Sequence, residues 1–292
     1  MASGRAFARA ALAGNPSDGY GGAVLAVTVP ALAAHAEATS AAEPRSDPPS
    51  SLVDAAIARF AGGACAVRWR TAVPREVGLA GSSAIVTAAV RALCALHGRT
   101  LGADELAELV LAVEVDDLGI AAGPQDRYAQ AHEGLVLMDF AGRRPRVERL
   151  DVALLPPLYL AWRTDAAETS HAVHGGLRER AGETAVRAAM ARLAAHARAA
   201  RDALRARDAA ALAAAIDGSY DERAALLALD PRHVAMVQAA RAAGASANYA
   251  GSGGAIVGTL PAAGVAPLIA ALQPLGCEVL APLRLADASR LP

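Results

Sequence analysis

Apolar residues along the chain fall into runs of three kinds. Contiguous, valine-bearing runs predict strands: "GGAVLAVTVP" (Gly21–Pro30), closed by a proline that cannot donate to a ladder, "GLVLMDF" (Gly134–Phe140) and "LPPLYLAW" (Leu155–Trp162). "CAVRWRTAVP" (Cys65–Pro74) alternates and predicts a half-buried strand ending at Pro74. Helical spacing appears from Ile85 to His97 and from Ala103 to about Val115, where Asp104 and Glu105 complement the dipole of the first turn. Residues 183–228 predict one or two long Ala/Arg helices, with Asp217-Gly218 as the expected interruption, and Pro231 starts another that ends at Gly244. "GGAIVGTL" (Gly253–Leu260), a helix from Ala262 to about Gln273 and "CEVLAPL" (Cys277–Leu283) close the chain as strand, helix, strand. The polar, proline-dotted "AEATSAAEPRSDPPS" (Ala36–Ser50) reads as a loop, and the basic "AGRRPRVERL" (Ala141–Leu150) as a turn.

Length and composition narrow this picture. The 292 residues suggest about two domains, divided near 1–150 and 151–292. With 54% hydrophobic but only 3% aromatic residues, the chain reads as a globular protein whose helices meet through alanine. A net charge of -1 gives no bulk attraction to nucleic acid or an anionic membrane, so any anion site must be local. Arg and Asp interrupt the alanine tract too often for a membrane span. Cys65, Cys94 and Cys277 form no C-x-x-C and predict buried thiols in a reducing, cytoplasmic compartment. The N-terminal apolar run is short and broken by Arg5 and Arg9, which argues against a targeting peptide. A homodimer stays open.

Candidate chemistry starts at "PREVGLAGSSA" (Pro74–Ala84), where a glycine turn opens a helix. The first N–H groups of a helix have no internal partner, so a phosphate can dock there if side chains stay clear. Gly78 and Gly81 keep the backbone bare, and Ser82 and Ser83 add hydroxyls for phosphate or Mg²⁺; the alternative is that Ser82 serves only as an N-cap. No Gly-Lys-Ser/Thr ending makes this a Walker A loop. "AGSGG" (Ala250–Gly254) approaches the G-x-S-x-G elbow, yet all seven histidines precede Ser252, the wrong order for an α/β-hydrolase. His171 and His174 lack a pattern that would complete a zinc site.

"GNPSDGYGGAVL" (Gly14–Leu25), "PREVGLAGSSA" and "ANYAGSGGAIVG" (Ala247–Gly258), in that order, resemble the three motifs of the GHMP kinases, and "GIAAGPQDRYAQAHEGLVLMDF" (Gly119–Phe140) resembles the glucuronokinase branch. The resemblance implies an α+β, two-domain fold with the active site in the interdomain cleft. It also implies transfer of the γ-phosphate of ATP, with Mg²⁺, to a small-molecule hydroxyl, foremost glucuronate to its 1-phosphate. The triphosphate would be wrapped by Pro74, Gly78, Leu79, Ala80, Gly81, Ser82, Ser83 and Ala84. Ser83 and Glu114 would hold Mg²⁺, with Asp117, one turn on, as the substitute. Asp126 would accept the proton of the attacking hydroxyl, and Arg9, with Arg5 as competitor, would supply the stabilising cation. Asn15 and Asp18 would hold sugar hydroxyls unless they only build an Asx turn. Arg127 would meet a uronate carboxylate or else form a structural salt bridge. Gly251, Ser252, Gly253 and Gly254 would lie beside phosphates and substrate. The alternatives are another GHMP kinase, for a different sugar or a mevalonate-type alcohol, and a non-catalytic sensor of ATP and sugar.

Overall fold

The computed structural model describes residues 1–60, 65–120, 123–165 and 180–285. Its frame is two antiparallel strands, β1 (Ala2–Ala13) and β2 (Ala23–Ser40), long enough to serve several neighbours at once. Pro30 does not close β2. The register passes from Phe7↔Ala33 to Ala8↔Val29, so Pro30, Ala31 and Leu32 bulge out of the ladder, where a missing N–H does no harm. Beyond the bulge, buried Ala36 and Ala38 alternate with exposed Glu37, so the first five residues of the expected loop, 36–40, continue the strand. Alanine hides such alternation, because it is apolar without being bulky.

The distal part of β2 pairs with β4 (Cys65–Thr71), itself joined in parallel by the short β3 (Arg45–Asp47), and the proximal part pairs with β5 (Leu135–Asp139). β6 (Arg146–Leu150) then adds to β5 and occupies what was expected to be a basic turn; its charged residues suit a sheet edge. Helix α1 (Ser51–Arg59) precedes β4, and α2 (Gly81–Leu96) lies across β1 and β2. Contact there is backbone-close: a Cβ on Gly4 would meet the Ala88 carbonyl oxygen at 2.2 Å. α3 (Ala103–Ala112) widens into a single π turn, Val113–Asp117, and α4 (Gln125–His132) follows.

A second sheet, in the order β10-β7-β9-β8, contains β7 (Leu158–Trp162), β8 (Asn248–Tyr249), β9 (Ala255–Thr259) and β10 (Glu278–Leu280). Helices α7 (Pro231–Ala242) and α8 (Val265–Leu272) bury Met236, Val237, Leu268 and Leu272 against it. The alanine-rich tract forms two helices, α5 (Thr184–Arg205) and α6 (Ala209–Leu226), that bury alanines and leucines between the sheets. Their break is at 206–208, where Arg207 is left-handed and Asp208 caps α6 through the Ala211 amide at 2.9 Å. Gly218, expected at the interruption, lies inside α6; a Cβ there would stand 2.4 Å from the His196 ring, so this glycine serves packing rather than a turn. The three cysteines are buried and unbridged, and burial pushes the Cys277 thiol up to about 11. Among the described residues, no helix is long and apolar enough to cross a membrane.

Candidate active site

β4 delivers the chain into the 72–80 turn, where Glu76, Gly78 and Ala80 all adopt left-handed backbone conformations. Ala80 takes the N-cap position and no side chain caps α2, so Ser82 is a first-turn residue, not a cap. Gly81 and Ser82 instead line a cleft of about 500 Å³, which the N-terminal amides and the dipole of a 16-residue helix make attractive to an anion. Asp126, Arg223, Gly251 and Ser252 line the same cleft.

Bare backbone lets the third glycine segment reach this turn. A Cβ on Gly251 would meet the Gly78 carbonyl oxygen at 2.0 Å, and one on Gly78 would meet the Ser252 amide nitrogen at 2.8 Å. Arg9, on β1 and 3% exposed, fastens the junction. Its Nη1 donates to the carbonyls of Gly78 (2.8 Å) and Ala250 (2.6 Å), and its Nε donates to Asp126 Oδ1 (2.7 Å), with Nη2 at 2.5 Å from the same oxygen. Two of the three glycine-bearing stretches and the segment carrying Asp126 therefore meet around one guanidinium. Arg5 is elsewhere, stacked over Phe7 at 4.8 Å.

Asp18 is 4% exposed and docks on the segment that carries Asp126. It accepts from the Gln125 amide (3.2 Å) and from Gln125 Nε2 (2.8 Å), and only the absence of a Cβ on Gly123 makes room for it. Burial, then the nearby charge of Asp126, pushes the Asp18 carboxyl up to about 6, against the lowering effect of Gln125 and Arg9. A raised acid binds its proton more tightly in the folded chain. The associated stability is present below the unfolded value of 3.8 and is lost as pH rises through about 6, a loss of about 3 kcal/mol by neutrality. Urea titrations from pH 4 to 7 should show that decline in the native chain and a flatter profile in Asp18→Asn; parallel profiles would exclude the shift.

Ser83, Glu114 and Arg127 form a fully buried trio. Ser83 Oγ donates to Glu114 Oε2 at 3.0 Å and Oε1 at 3.2 Å, while Arg127 bonds Glu114 through Nε and the Gly123 carbonyl through Nη1 (2.7 Å). A hydroxyl and a carboxylate are the hard oxygen donors that Mg²⁺ takes, so the chemistry of the pair fits that ion; here the two bond each other just beneath the cleft, whose lining includes the adjacent Ser82 but neither of them. Asp117 does not join them: the π turn sends it to the surface, where Arg59 grips it at 2.5 and 2.7 Å and holds its carboxyl below the usual range.

Two expected sugar contacts are otherwise engaged. Arg127, 1% exposed and absent from the cleft lining, forms the structural salt bridge with Glu114, so it is not placed to receive a uronate. Asn15 reaches the cleft but spends its amide on the Tyr249 (3.1 Å) and Gly251 (3.3 Å) carbonyls and accepts from Asn248 (3.1 Å). Ser252 lines the cleft, 7% exposed, with no partner for Oγ among the described residues. Arg223, from α6, had no motif to announce it. Buried against Tyr249, it donates to the Gly251 and Ser252 carbonyls at 2.6 Å each and so holds the third glycine segment in place. His171 and His174 lie outside the described residues.

Residues 51–134 match the family model described as the GHMP kinases N terminal domain. The chain is 33% identical over 204 residues to Glucuronokinase 1 of Arabidopsis thaliana, a match covering 65% of this chain and 55% of that protein. It thus spans about half the length of the curated relatives it matches. In fold it superposes on Streptococcus pneumoniae phosphomevalonate kinase in complex with phosphomevalonate and AMPPNP, with a TM-score of 0.81, 17% identity and coverage of 96% and 100%. Lactococcus lactis galactokinase complexed with galactose gives a TM-score of 0.80 at 14% identity, covering 99% and 95%. The glycine-built junction thus sits in a fold shared with these kinases, and residues 51–134, which contain the open start of α2, Glu114 and Asp126, carry the match to the GHMP kinases N terminal domain.

Proposed function

We propose that the chain transfers the γ-phosphoryl group of ATP to a hydroxyl of a small sugar, with glucuronate, phosphorylated at its anomeric oxygen, as the leading acceptor. One observation carries the reading: the Arg9–Asp126 pair stands in the same cleft as the uncapped N-terminus of α2. Amides of that helix start would hold the polyphosphate. Asp126, its Oδ1 anchored by Arg9, would orient the acceptor hydroxyl and take its proton, and Arg9 would offset charge as the phosphoryl moves. Ser83 and Glu114 would hold Mg²⁺, which neutralises phosphate charge when bound; Arg127 keeps Glu114 turned toward Ser83. Relatedness to Glucuronokinase 1 supports the uronate.

A second acceptor within the same site has one observation in its favour, since the commitment of Arg127 to Glu114 removes the cation expected to read a carboxylate. A coupled ADP-release assay with Mg·ATP against glucuronate, galacturonate, neutral hexoses and mevalonate decides. Glucuronate should give the highest kcat/KM. A neutral hexose in first place would move the assignment to that sugar, and silence across the panel would end the kinase reading.

A further inference from the structure

The proposed transfer assigns no task to Gln125, a buried residue of the cleft. Gln125 opens α4 immediately before Asp126, lines the cleft and is 5% exposed. Its backbone amide and its Nε2 both donate to Asp18, whose carboxylate can only accept, so the two ends of the side-chain amide are not interchangeable. Nε2 belongs to Asp18. Oε1 is then turned away from it, buried and without a hydrogen-bond partner among the described residues. Leaving such an acceptor unpaired is unfavourable, and an arrangement that also requires a glycine at 123 to admit Asp18 is a built one.

On the reading above, we propose that Gln125 is a binding residue for the phosphoryl acceptor, its Oε1 accepting a hydrogen bond from a second acceptor hydroxyl, with Asp18 as the positioning residue that sets which end of the amide is offered. The chemistry selects a class. A group that only accepts demands a partner that donates, and a polyol has a hydroxyl to spare beside the one that takes the phosphoryl. An alcohol with one hydroxyl does not: its only proton goes to Asp126 and Oε1 stays unpaired. Gln125 therefore favours acceptors with a second hydroxyl, sugars among them, over alcohols that carry only one.

The test uses the full-length chain, ADP release, and calorimetric titration of the preferred acceptor. Gln125→Met keeps the bulk and removes both polar atoms; it should raise the acceptor KM by about tenfold or more while changing the ATP KM by less than about twofold. Among monodeoxyfluoro analogues of the acceptor, one should be penalised in the native chain but not in Gln125→Met, which a merely structural role would not produce. Asp18→Asn frees the amide to rotate and should reproduce the KM effect, and the double variant should be no worse than Gln125→Met alone. An unchanged acceptor KM, a rise confined to ATP, or additive losses would overturn the inference. If the native chain phosphorylates a sugar and Gln125→Met does so equally well, only this inference falls. If the native chain neither binds nor phosphorylates any sugar, the functional reading falls with it.

Discussion

Asp126→Ala should lower kcat by about 10²–10⁴-fold, the usual contribution of a positioned acid or base, while the Kd for Mg·ATP stays within about twofold. Binding should survive because Arg9 keeps its bonds to the Gly78 and Ala250 carbonyls, so the junction of the glycine segments does not depend on the carboxylate. Asp126→Asn should lose the rate to a similar degree, since an amide can still meet Arg9 Nε but cannot accept a proton. The loss should sit in kcat, with little change in acceptor KM. Removing the Asp126 charge also removes one cause of the raised Asp18 carboxyl, so the pH profile of stability should flatten in Asp126→Ala. Full kcat in Asp126→Ala would show that the proton goes elsewhere.

Arg127→Met should be the most damaging single change to stability, by about 3–5 kcal/mol, because it leaves the Glu114 carboxylate buried without its counter-charge. Restoring neutrality in the pair should reverse most of that loss: Arg127→Met/Glu114→Leu is expected to unfold close to the native chain, as apolar replacements of buried ion pairs often do. Turnover should not return with it. The double variant has lost the carboxylate beside Ser83, so it would be a folded protein with a failed cation site, whereas Arg127→Met alone would be an unstable one. Thermal unfolding and ADP release, measured on both variants, separate the two roles. An Arg127→Met protein as stable as the native chain would mean that the Arg127–Glu114 pair does not hold the buried trio together.

Residues whose work is done by the local backbone were visible in the sequence. The glycines at 78, 251 and 254, the open start of α2 and the placing of Asp126 all follow from turn chemistry and motif order. Residues whose work depends on a distant partner were not. In sequence Arg127 reads equally as a substrate cation or a salt-bridge partner until Glu114 is seen beneath it, and Asn15 as a sugar ligand or an Asx turn until its amide is found on Tyr249 and Gly251, more than 230 positions away. Arg223 and Gln125 carry no local signal, one being an ordinary arginine on a long helix and the other a neutral neighbour of an acid. Glu114 and Asp117 looked interchangeable at regular helical spacing, and a single π turn separates them. Strand limits failed for a related reason: Pro30 ends a ladder only if it must donate, and the bulge at 30–32 relieves it of that duty. The break at 206–208 contains no glycine or proline to announce it, whereas Gly218 looks like a breaker and its actual use is to admit the His196 ring.

The central claim, that the bare start of α2 holds the polyphosphate of a nucleotide, is tested most directly by calorimetric titration of Mg·ATP into the purified, cooperatively folded chain. Saturable binding at one site per chain, weakened when the γ-phosphate is absent, is the expected result. No heat of binding from a folded sample at millimolar Mg·ATP would contradict it.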